Sequence, residues 1–136
     1  MSQFWSKQLS GTSNKQVSYA VEIFRSDMLQ HAPAGSSAYP PTRSQTYFPL
    51  ALTFEWTSSG DDQTMANTAT QSVQQLNKVA SAEGQDISTV PVYGNYAGSH
   101  TWTSDRIFGD NLSKLQSLKK QYDPNNVMSL TGGWKI

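Results

Sequence analysis

Apolar and polar residues alternate along residues 17–25 and again along residues 47–57. A period of two among β-branched and aromatic side chains is typical of strands that are buried on one face. The apolar face of the first predicted strand consists of Val17, Tyr19, Val21 and Ile23. That of the second consists of Phe48, Leu50, Leu52, Phe54 and Trp56. A shorter alternation over residues 89–96 predicts a third strand.

Helical periodicity replaces this alternation in three other segments, residues 2–10, 62–82 and 110–122. The middle segment is the longest, and apolar residues recur along one face of it, as expected for a helix that packs on a core. This stripe consists of Met65, Ala69, Val73, Leu76 and Val79 or Ala80. We expect Ser2 to cap the first helix and Gly84 to end the second.

The remaining segments are rich in turn-forming residues. Residues 97–108 predict a polar loop, and residues 26–46 predict a loop with short extended pieces near 28–32 and 37–43. The resulting order is strand, strand, long helix, strand, helix, which favours helices packed on one face of an antiparallel β-sheet, an α+β fold. The other sheet face would carry Glu22, Phe24, Tyr47, Thr53, Glu55, Tyr93 and Asn95. Such a mixture of aromatic and polar groups suits a surface that binds a ligand or a partner.

Length and charge restrict the classes of protein to consider. A chain of 136 residues is expected to form a single domain over residues 1–136, with residues 1–16 as an N-terminal helix and linker. Basic and acidic residues balance at ten each, so no net field favours nucleic acid or an anionic membrane, and no charge barrier opposes self-association. Neither a signal peptide nor a stretch of membrane-spanning length is found. We therefore expect a cytoplasmic protein with no nucleic-acid or membrane partner.

Metal-binding and thiol chemistry have little support in this sequence. The chain contains no cysteine, which excludes disulfides, thiolate nucleophiles and zinc–thiolate sites. Its two histidines, His31 and His100, fall in predicted loops, where a histidine is usually a surface residue. No His-x-x-His motif or acidic cluster accompanies them, so we predict no metal site.

The most distinctive motif lies near the end of the chain, over Ile107–Val127. It reads Ile107-Phe108-Gly109-Asp110-Asn111-Leu112, continues with Leu115 and Leu118-Lys119, and closes with Tyr122-Asp123-Pro124-Asn125-Asn126-Val127. This resembles the closing motif of the berberine-bridge-like flavin oxidases, which is an aromatic-Gly-x-Asn, a leucine-spaced helix and Tyr-Asp-Pro-x-Asn-Phe. Three other segments resemble the family's Tyr-x-Asn-Tyr, Trp-x-Asp-Pro-x-x-Asp and Phe-Pro-His-Arg motifs, namely Tyr93-Gly94-Asn95-Tyr96, Trp56–Asp62 and Tyr39-Pro40-Pro41-Thr42-Arg43.

The resemblance covers residues 17–131 and implies a substrate-side domain of the α+β, ferredoxin-like type. In that family a separate N-terminal domain holds FAD, and the C-terminal sheet covers the isoalloxazine and shapes the substrate pocket. The resemblance places four residues near the flavin or the substrate, namely Tyr93, Asn95, Tyr96 and Asn111. The sequence shows no glycine-rich phosphate loop and no flavin-attachment residue, so we expect a stand-alone domain without the FAD-binding domain. Residues Ser129–Ile136 differ from the family's usual polar tail.

The candidate site residues lie on or beside the predicted open sheet face. We predict catalytic roles for Tyr93, Glu55 and Glu22, and substrate-binding roles for Asn95, Tyr96, Tyr47, Phe24 and Asn111. Two carboxylates that face one pocket suit general acid–base catalysis, and tyrosines suit hydrogen bonding or proton transfer. The alternatives are solvated carboxylates, aromatic side chains that close the sheet with their phenol tips in water, and an asparagine that satisfies a turn or caps the last helix.

Three functions follow from these features. The one we favour is a flavin-independent enzyme of secondary metabolism that uses no cofactor and catalyses the cyclisation, isomerisation or pericyclic reaction of a small molecule. The second is a fragment or subunit of an FAD-dependent oxidoreductase, with FAD on a partner domain. The third is a non-catalytic small-molecule carrier. Because Phe24, Tyr47 and Tyr93 would leave an apolar patch without a flavin domain, we also predict a homodimer that covers this patch.

Overall fold

The computed structural model describes residues 1–25, 27–33, 35–39, 47–88, 90–98, 103–132 and 134–136. The elements are α1 (Ser2–Gln8), β1 (Asn14–Val21), β2 (Leu50–Trp56), α2 (Asp62–Ala82), α3 (Ser104–Phe108) and α4 (Leu112–Tyr122). Short 3₁₀ turns cover Ser59–Asp61, Gly109–Asn111 and Val127–Leu130. The predicted α+β class is confirmed. The chain divides into a first unit, residues 1–22 with 50–90, and a second unit, residues 23–49 with 91–136.

In the first unit, β1 and β2 pair antiparallel to form a two-stranded sheet. Val17 lies opposite Phe54, so the two predicted apolar faces lie on the same side of the sheet, as expected. Both strands are shorter than predicted, because the last pair is Val21 with Leu50. The residue before Leu50 is Pro49, which has no amide hydrogen and cannot extend the ladder of hydrogen bonds.

Helix α2 has the bounds that its hydrophobic period predicts, Asp62–Ala82. Gly84 follows it with a φ of +82°, a left-handed conformation that glycine adopts without steric cost. The amide of Gly84 donates to the Ser81 carbonyl at 3.1 Å, and that of Gln85 donates to the Ala80 carbonyl at 3.0 Å. This pair of bonds is the Schellman motif that ends many helices, so the predicted role of Gly84 is confirmed.

The buried face of α2 carries two hydroxyl residues that the sequence pattern does not reveal. Met65, Thr68 and Ser72 are buried. The Ser72 hydroxyl donates to the Thr68 carbonyl at 2.7 Å and accepts from the Trp5 indole N–H at 2.9 Å. The Trp5 ring also meets Phe54 edge-on, with ring centroids 6.3 Å apart. Trp5 therefore joins α1 to both α2 and β2.

The predicted apolar stripe of α2 is only partly correct. Met65, at its start, is buried, whereas Val79, near its end, is 49% exposed. The polar residues Thr68 and Ser72 are buried instead. A serine or threonine hydroxyl in a helix can donate a hydrogen bond to the carbonyl four residues earlier, as Ser72 does, and such a hydroxyl can therefore be buried. The expected cap on α1 is wrong as well, since Ser2 is its first helical residue and makes no capping bond.

The turn between β2 and α2 is held by side chains at the end of the strands. Asp61 Oδ2 accepts hydrogen bonds from the Ser13 amide at 2.8 Å and from the Ser13 hydroxyl at 2.6 Å. These two bonds lower the pKa of the Asp61 carboxyl below its usual value. The Trp56 indole donates to Asp62 Oδ1 at 2.6 Å. The segment that resembles the family's Trp-x-Asp-Pro-x-x-Asp motif therefore has a structural role here.

Three predictions for the second unit are wrong. The segment predicted as a polar loop contains helix α3, and the segment predicted as a third strand has none in its described part, residues 90–96. Instead, the Tyr96 amide donates to the Tyr93 carbonyl at 3.1 Å and closes a turn. The Val92 amide donates to the Arg106 carbonyl at 3.1 Å, so it is bound to α3 and not to a neighbouring strand. The predicted extended pieces are also replaced, by turns and bends over residues 27–32 and 35–39, and residues 40–43 lie outside the described ranges.

The Asp-Pro-x-Asn part of the closing motif forms the turn after α4. Asp123 accepts from Lys119 Nζ at 3.0 Å and from the amides of Val127 and Met128 at 2.7 and 3.1 Å. Partial burial works against ionisation of this carboxyl, but these hydrogen bonds outweigh it and lower its pKa. Asn126 has a φ of +55°, a conformation that asparagine tolerates better than most residues.

The helices in the described ranges are short or polar on their surface. The longest of them, α2, has 21 residues. In the described part of the chain no helix combines the length and the apolar character that crossing a bilayer requires.

Candidate functional site

Aromatic side chains gather in the second unit around Tyr93. Its ring centroid lies 6.5 Å from that of Phe24, 5.9 Å from that of Tyr39 and 4.9 Å from that of Tyr96. The contacts with Phe24 and Tyr96 are edge-to-face, an arrangement that the quadrupole of aromatic rings favours. Tyr47 joins the group through its hydroxyl, which is hydrogen-bonded to that of Tyr39 at 3.3 Å. We refer to Phe24, Tyr39, Tyr47, Tyr93 and Tyr96 as the tyrosine cluster.

Asn95 sets the direction of the Tyr93 phenol. Its side-chain Nδ2 donates to Tyr93 Oη at 2.8 Å. A phenol oxygen that accepts from an amide still has its own O–H to donate. Tyr93 and Asn95 therefore present one oriented hydrogen-bonding pair, and Asn95 and Tyr96 beside it are exposed.

Tyr39 is chemically distinct within the tyrosine cluster. Burial, and after it the neighbouring Tyr47 hydroxyl, raise the pKa of Tyr39 well above its usual value. Removal of its proton is therefore unfavourable in the folded chain, because a buried phenolate would lose its solvation. Tyr39 can donate a hydrogen bond at any ordinary pH, and it is a poor candidate for a general base.

Two elements outside the cluster fix the turn that carries Tyr93. The Trp134 indole N–H donates to the Gly94 carbonyl at 3.1 Å. A Cβ on Gly94 would lie 3.2 Å from Trp134 Nε1 and 3.4 Å from Ile107 Cγ2, so only glycine fits between these two side chains without displacement. The tail has neither a helical nor a strand period, so no pattern in the sequence indicates this role for Trp134.

Glu22 and Glu55 are not brought together. Glu55 lies in β2 opposite Gln16, whereas Glu22 follows the end of β1, six residues further along the chain. Six extended residues span roughly 20 Å, so the two carboxylates do not share one pocket as predicted. Both belong to the first unit, whereas the tyrosine cluster belongs to the second. Their individual catalytic roles stay predictions.

Asn111 occupies the N-cap position of α4, but its side chain makes no capping hydrogen bond. The expected cap is therefore wrong. Its Nδ2 donates instead to the Ala38 carbonyl at 3.2 Å. This bond ties the residue before Tyr39 to the start of α4, so Asn111 helps to position the tyrosine cluster. Contact of Asn111 with a substrate stays a prediction.

Two cationic side chains described in the second unit, Arg25 and His31, lie beside one carboxylate. Arg25, a candidate for anion binding, donates to both carboxylate oxygens of Asp27 at 3.0 and 2.7 Å. Its guanidinium lowers the pKa of Asp27. His31 Nε2 lies 3.9 Å from the same carboxylate, on the surface. His100 and Arg43 lie outside the described residues. Arg25 and His31 alone do not supply the several converging donors that the pyrophosphate of FAD needs.

No group of three or more histidine, aspartate or glutamate side chains in the described ranges is placed to hold a metal ion. An open cavity of about 510 Å³ lies in the first unit beside α1 and β1. It is lined in part by Trp5, Leu9, Asn14 and Val17, and by none of the predicted site residues. Asn14 Oδ1, which is buried, has no hydrogen-bond partner among the described atoms.

Comparison with known proteins supports the motif-based resemblance. Residues 92–131 match the family described as berberine and berberine like. An FAD-linked oxidoreductase, srdI, from Neurospora crassa is 30% identical over 129 residues, which are 93% of this chain and 24% of that protein. The chain thus spans about a quarter of the length of this relative. No solved structure matches the chain. The matched residues include Tyr93, Asn95 and Tyr96 and the closing turn, so this segment is similar to the berberine and berberine-like family, in agreement with the motifs of the sequence.

Proposed function

We propose that this chain supplies the substrate side of an FAD-dependent oxidation of a small organic molecule, with the flavin held by a separate flavin-binding domain. The observation that carries this proposal is the Asn95–Tyr93 hydrogen bond inside the family-matched segment, at the edge of the tyrosine cluster. The Neurospora crassa relative is FAD-linked and extends well beyond the matched part, which agrees with a flavin site elsewhere. Arg25 and His31, which lie beside the Asp27 carboxylate, do not form a phosphate site, and the proposal therefore assigns FAD to the separate domain.

The chemistry of the tyrosine cluster suits an uncharged aromatic or conjugated substrate. Ring edges and faces bind flat apolar molecules, and phenol tips add directional hydrogen bonds. The Tyr93 O–H would bind a substrate oxygen, with its direction set by Asn95. Tyr39, whose raised pKa keeps its proton in place, would act only as a donor. In this proposal Tyr93 is the group that exchanges a proton with the substrate.

The first test asks whether a flavin accompanies the chain. The tagged chain, purified under mild conditions from the cells that produce it, is expected to carry a flavin absorption band at about one flavin per chain. An organic extract of the same cells, added without oxygen, is expected to bleach that band. A colourless preparation would contradict the proposal.

Replacing Tyr93 with phenylalanine is expected to slow this bleaching at least about tenfold, the lower range for groups that transfer protons. The change keeps the ring and removes only the hydroxyl that Asn95 orients. Tyr122→Phe is the matched control, because Tyr122 lies exposed on α4. The flavin content should be unchanged in both variants. Equal bleaching rates in both would remove Tyr93 from the proposed site.

Cofactor-free cyclisation or isomerisation, which the sequence analysis favours, remains a second candidate. The observation that favours it is that the aromatic and hydrogen-bonding groups assemble within one unit of this chain. Reactions of this kind depend on shape and hydrogen bonding more than on a redox group. A colourless chain that converts a component of the extract, and loses this activity on Tyr93→Phe, would support it.

The homodimer that the sequence predicts also stays a proposal, but the interface that we propose lies on a different surface. Phe24, Tyr47 and Tyr93 are half-buried, so they do not form the bare patch that was expected. On the sheet, by contrast, Tyr19 is 69% and Val21 48% exposed, and Leu50 opposite Val21 is exposed as well. We propose that these three apolar side chains pair with those of a second copy, because the chain has no net charge to oppose association.

Light scattering or sedimentation of the purified chain is expected to give the mass of a dimer. Val21→Lys should shift it to a monomer, since a lysine would bring like charges together across a two-fold axis. Val79→Lys, at an equally exposed valine on α2, should leave the dimer intact. A wild-type monomer at high concentration would contradict the proposed dimer.

A further inference from the structure

We infer that the end of the chain, residues 134–136, positions the turn that carries Tyr93 and Asn95, with the Trp134 indole as the positioning group. The inference rests on the proposed function only for its kinetic test. The contact that carries it is the 3.1 Å hydrogen bond from Trp134 Nε1 to the Gly94 carbonyl. Gly94 separates Tyr93 from Asn95, so a bond to its carbonyl fixes the peptide between the two proposed substrate-facing residues.

The turn is fixed from two sides. Its own closing bond runs from the Tyr96 amide to the Tyr93 carbonyl at 3.1 Å. Trp134 and Ile107 approach Gly94 so closely that a Cβ there would lie 3.2 and 3.4 Å from them. Ile107 is buried and belongs to α3. The Gly94 position therefore lies between the indole and the buried Ile107 side chain, and the indole N–H holds the Gly94 carbonyl.

Lys135, the residue after Trp134, anchors the tail through both its side chain and its carbonyl. The Lys135 Nζ donates to the carbonyls of Ser129 and Thr131 at 2.7 and 2.6 Å. These carbonyls lie at the end of the 3₁₀ turn Val127–Leu130, where a cation is favoured. The Ser104 hydroxyl, at the start of α3, donates to the Lys135 carbonyl. These contacts restrain the backbone next to Trp134 and so hold its indole in place.

The consequence for the site is specific. The Asn95 side chain reaches Tyr93 Oη across the peptide that Trp134 holds, and the 2.8 Å bond between them depends on the rotation of that peptide. Loss of the indole N–H would leave the ring of Trp134 in place but release the Gly94 carbonyl. We expect this to loosen the Asn95–Tyr93 pair more than the second unit as a whole.

The first test is Trp134→Phe, which removes the donor and keeps an aromatic ring. Amide exchange measured by NMR should become at least about fivefold faster at Tyr96, as expected for loss of one hydrogen bond of ordinary strength. The Tyr93 ring resonances should shift as well. Trp56→Phe is the control, because it removes an indole N–H that is bonded to Asp62 in the first unit. Unchanged exchange at Tyr96 and unchanged Tyr93 resonances in Trp134→Phe would overturn the inference.

Gly94→Ala provides a second route to the same result if Trp134→Phe folds poorly. Its methyl group should displace the indole from the other side and produce the same changes at Tyr96 and Tyr93. Spectra of Gly94→Ala that match the wild type at these two residues would count against the positioning role.

A kinetic cycle separates positioning from general stability. If the proposed function holds, Trp134→Phe slows flavin bleaching in the wild-type background but has little further effect when Tyr93 is already phenylalanine. Effects that multiply independently would show that Trp134 does not act through Tyr93. The NMR test needs no flavin, so failure of the proposed function and failure of this inference give different results.

Discussion

Replacing Ile107 with alanine is expected to lower the free energy of unfolding by about 2–5 kcal/mol, the usual cost of truncating a buried aliphatic side chain. Ile107 is 2% exposed and packs beside Gly94 in the turn that carries Tyr93. Among the described residues, few apolar side chains are buried, namely Leu9, Met65, Pro91 and Ile107. A core this small has little redundancy, and domains of this size are stable by only about 5–15 kcal/mol.

Urea unfolding followed by circular dichroism measures this difference. Leu130→Ala is the matched control, because Leu130 belongs to the same unit but is 87% exposed. Its replacement should change the free energy of unfolding by no more than about 0.5 kcal/mol. Equal effects of the two substitutions would show that Ile107 does not form the core of the second unit.

Local periodicity predicts correctly those elements that are specified by the residues within them. Helix α2 is the clearest example, because its apolar stripe and Gly84 specify both the helix and its end. The pairing of β1 with β2 follows from two facing apolar alternations, of which Val17 and Phe54 form one pair. In these cases propensity, pattern and termination signal agree, which is why the prediction succeeds.

The prediction of a third strand is wrong because an alternating pattern alone does not provide a partner strand with which to pair. Val90 and Val92 alternate with other residues as a strand would, but Pro91 between them has no amide hydrogen to donate. The Val92 amide finds its acceptor at Arg106 in α3, and the next residues turn back on themselves. A strand is a cooperative property of two segments, so a single short alternation cannot specify it.

The contacts that shape the candidate site are also invisible to periodicity. Tyr39 and Tyr93 are 54 positions apart in the chain and meet only in the folded unit, at 5.9 Å between ring centroids. Trp134 reaches Gly94 from a tail with no regular pattern. Ser72 is polar in sequence, yet it is buried because Trp5 and Thr68 satisfy its hydroxyl. Long-range pairs such as these depend on the fold and not on neighbouring residues.

The motifs that carry the family resemblance differ in the parts that they play in this structure. Asp123 holds the closing turn, and Trp56 with Asp62 holds the turn before α2. Asn111 ties the segment before Tyr39 to α4. Of the motif residues, Tyr93 and Asn95 are those that present an oriented pair of polar groups. Most of the matching residues therefore hold the fold together, and only the short Tyr93–Tyr96 turn belongs to the proposed site.

The pKa of Tyr39 leads to a distinct expectation for stability at high pH. A tyrosine in the unfolded chain loses its proton near pH 10.0, whereas burial raises the pKa of Tyr39 above that value in the folded chain. The folded state therefore holds one more proton than the unfolded state as the pH rises above 10. Its contribution to stability is complete below pH 10 and is lost as the pH rises towards the folded pKa. The free energy of unfolding should fall by up to about 1.4 kcal/mol per pH unit from this group alone.

The difference between the wild-type chain and Tyr39→Phe isolates this contribution. Urea unfolding at several pH values between 9 and 11.5 should give a steeper loss of stability for the wild type above pH 10, because the variant lacks the proton in question. Other groups that titrate in this range are common to both chains and cancel in the difference. A Tyr122→Phe series accounts for the loss of one exposed phenol. If the curves of the wild type and Tyr39→Phe run parallel above pH 10, burial does not raise the pKa of Tyr39, and Tyr39 would no longer be a poor candidate for a general base.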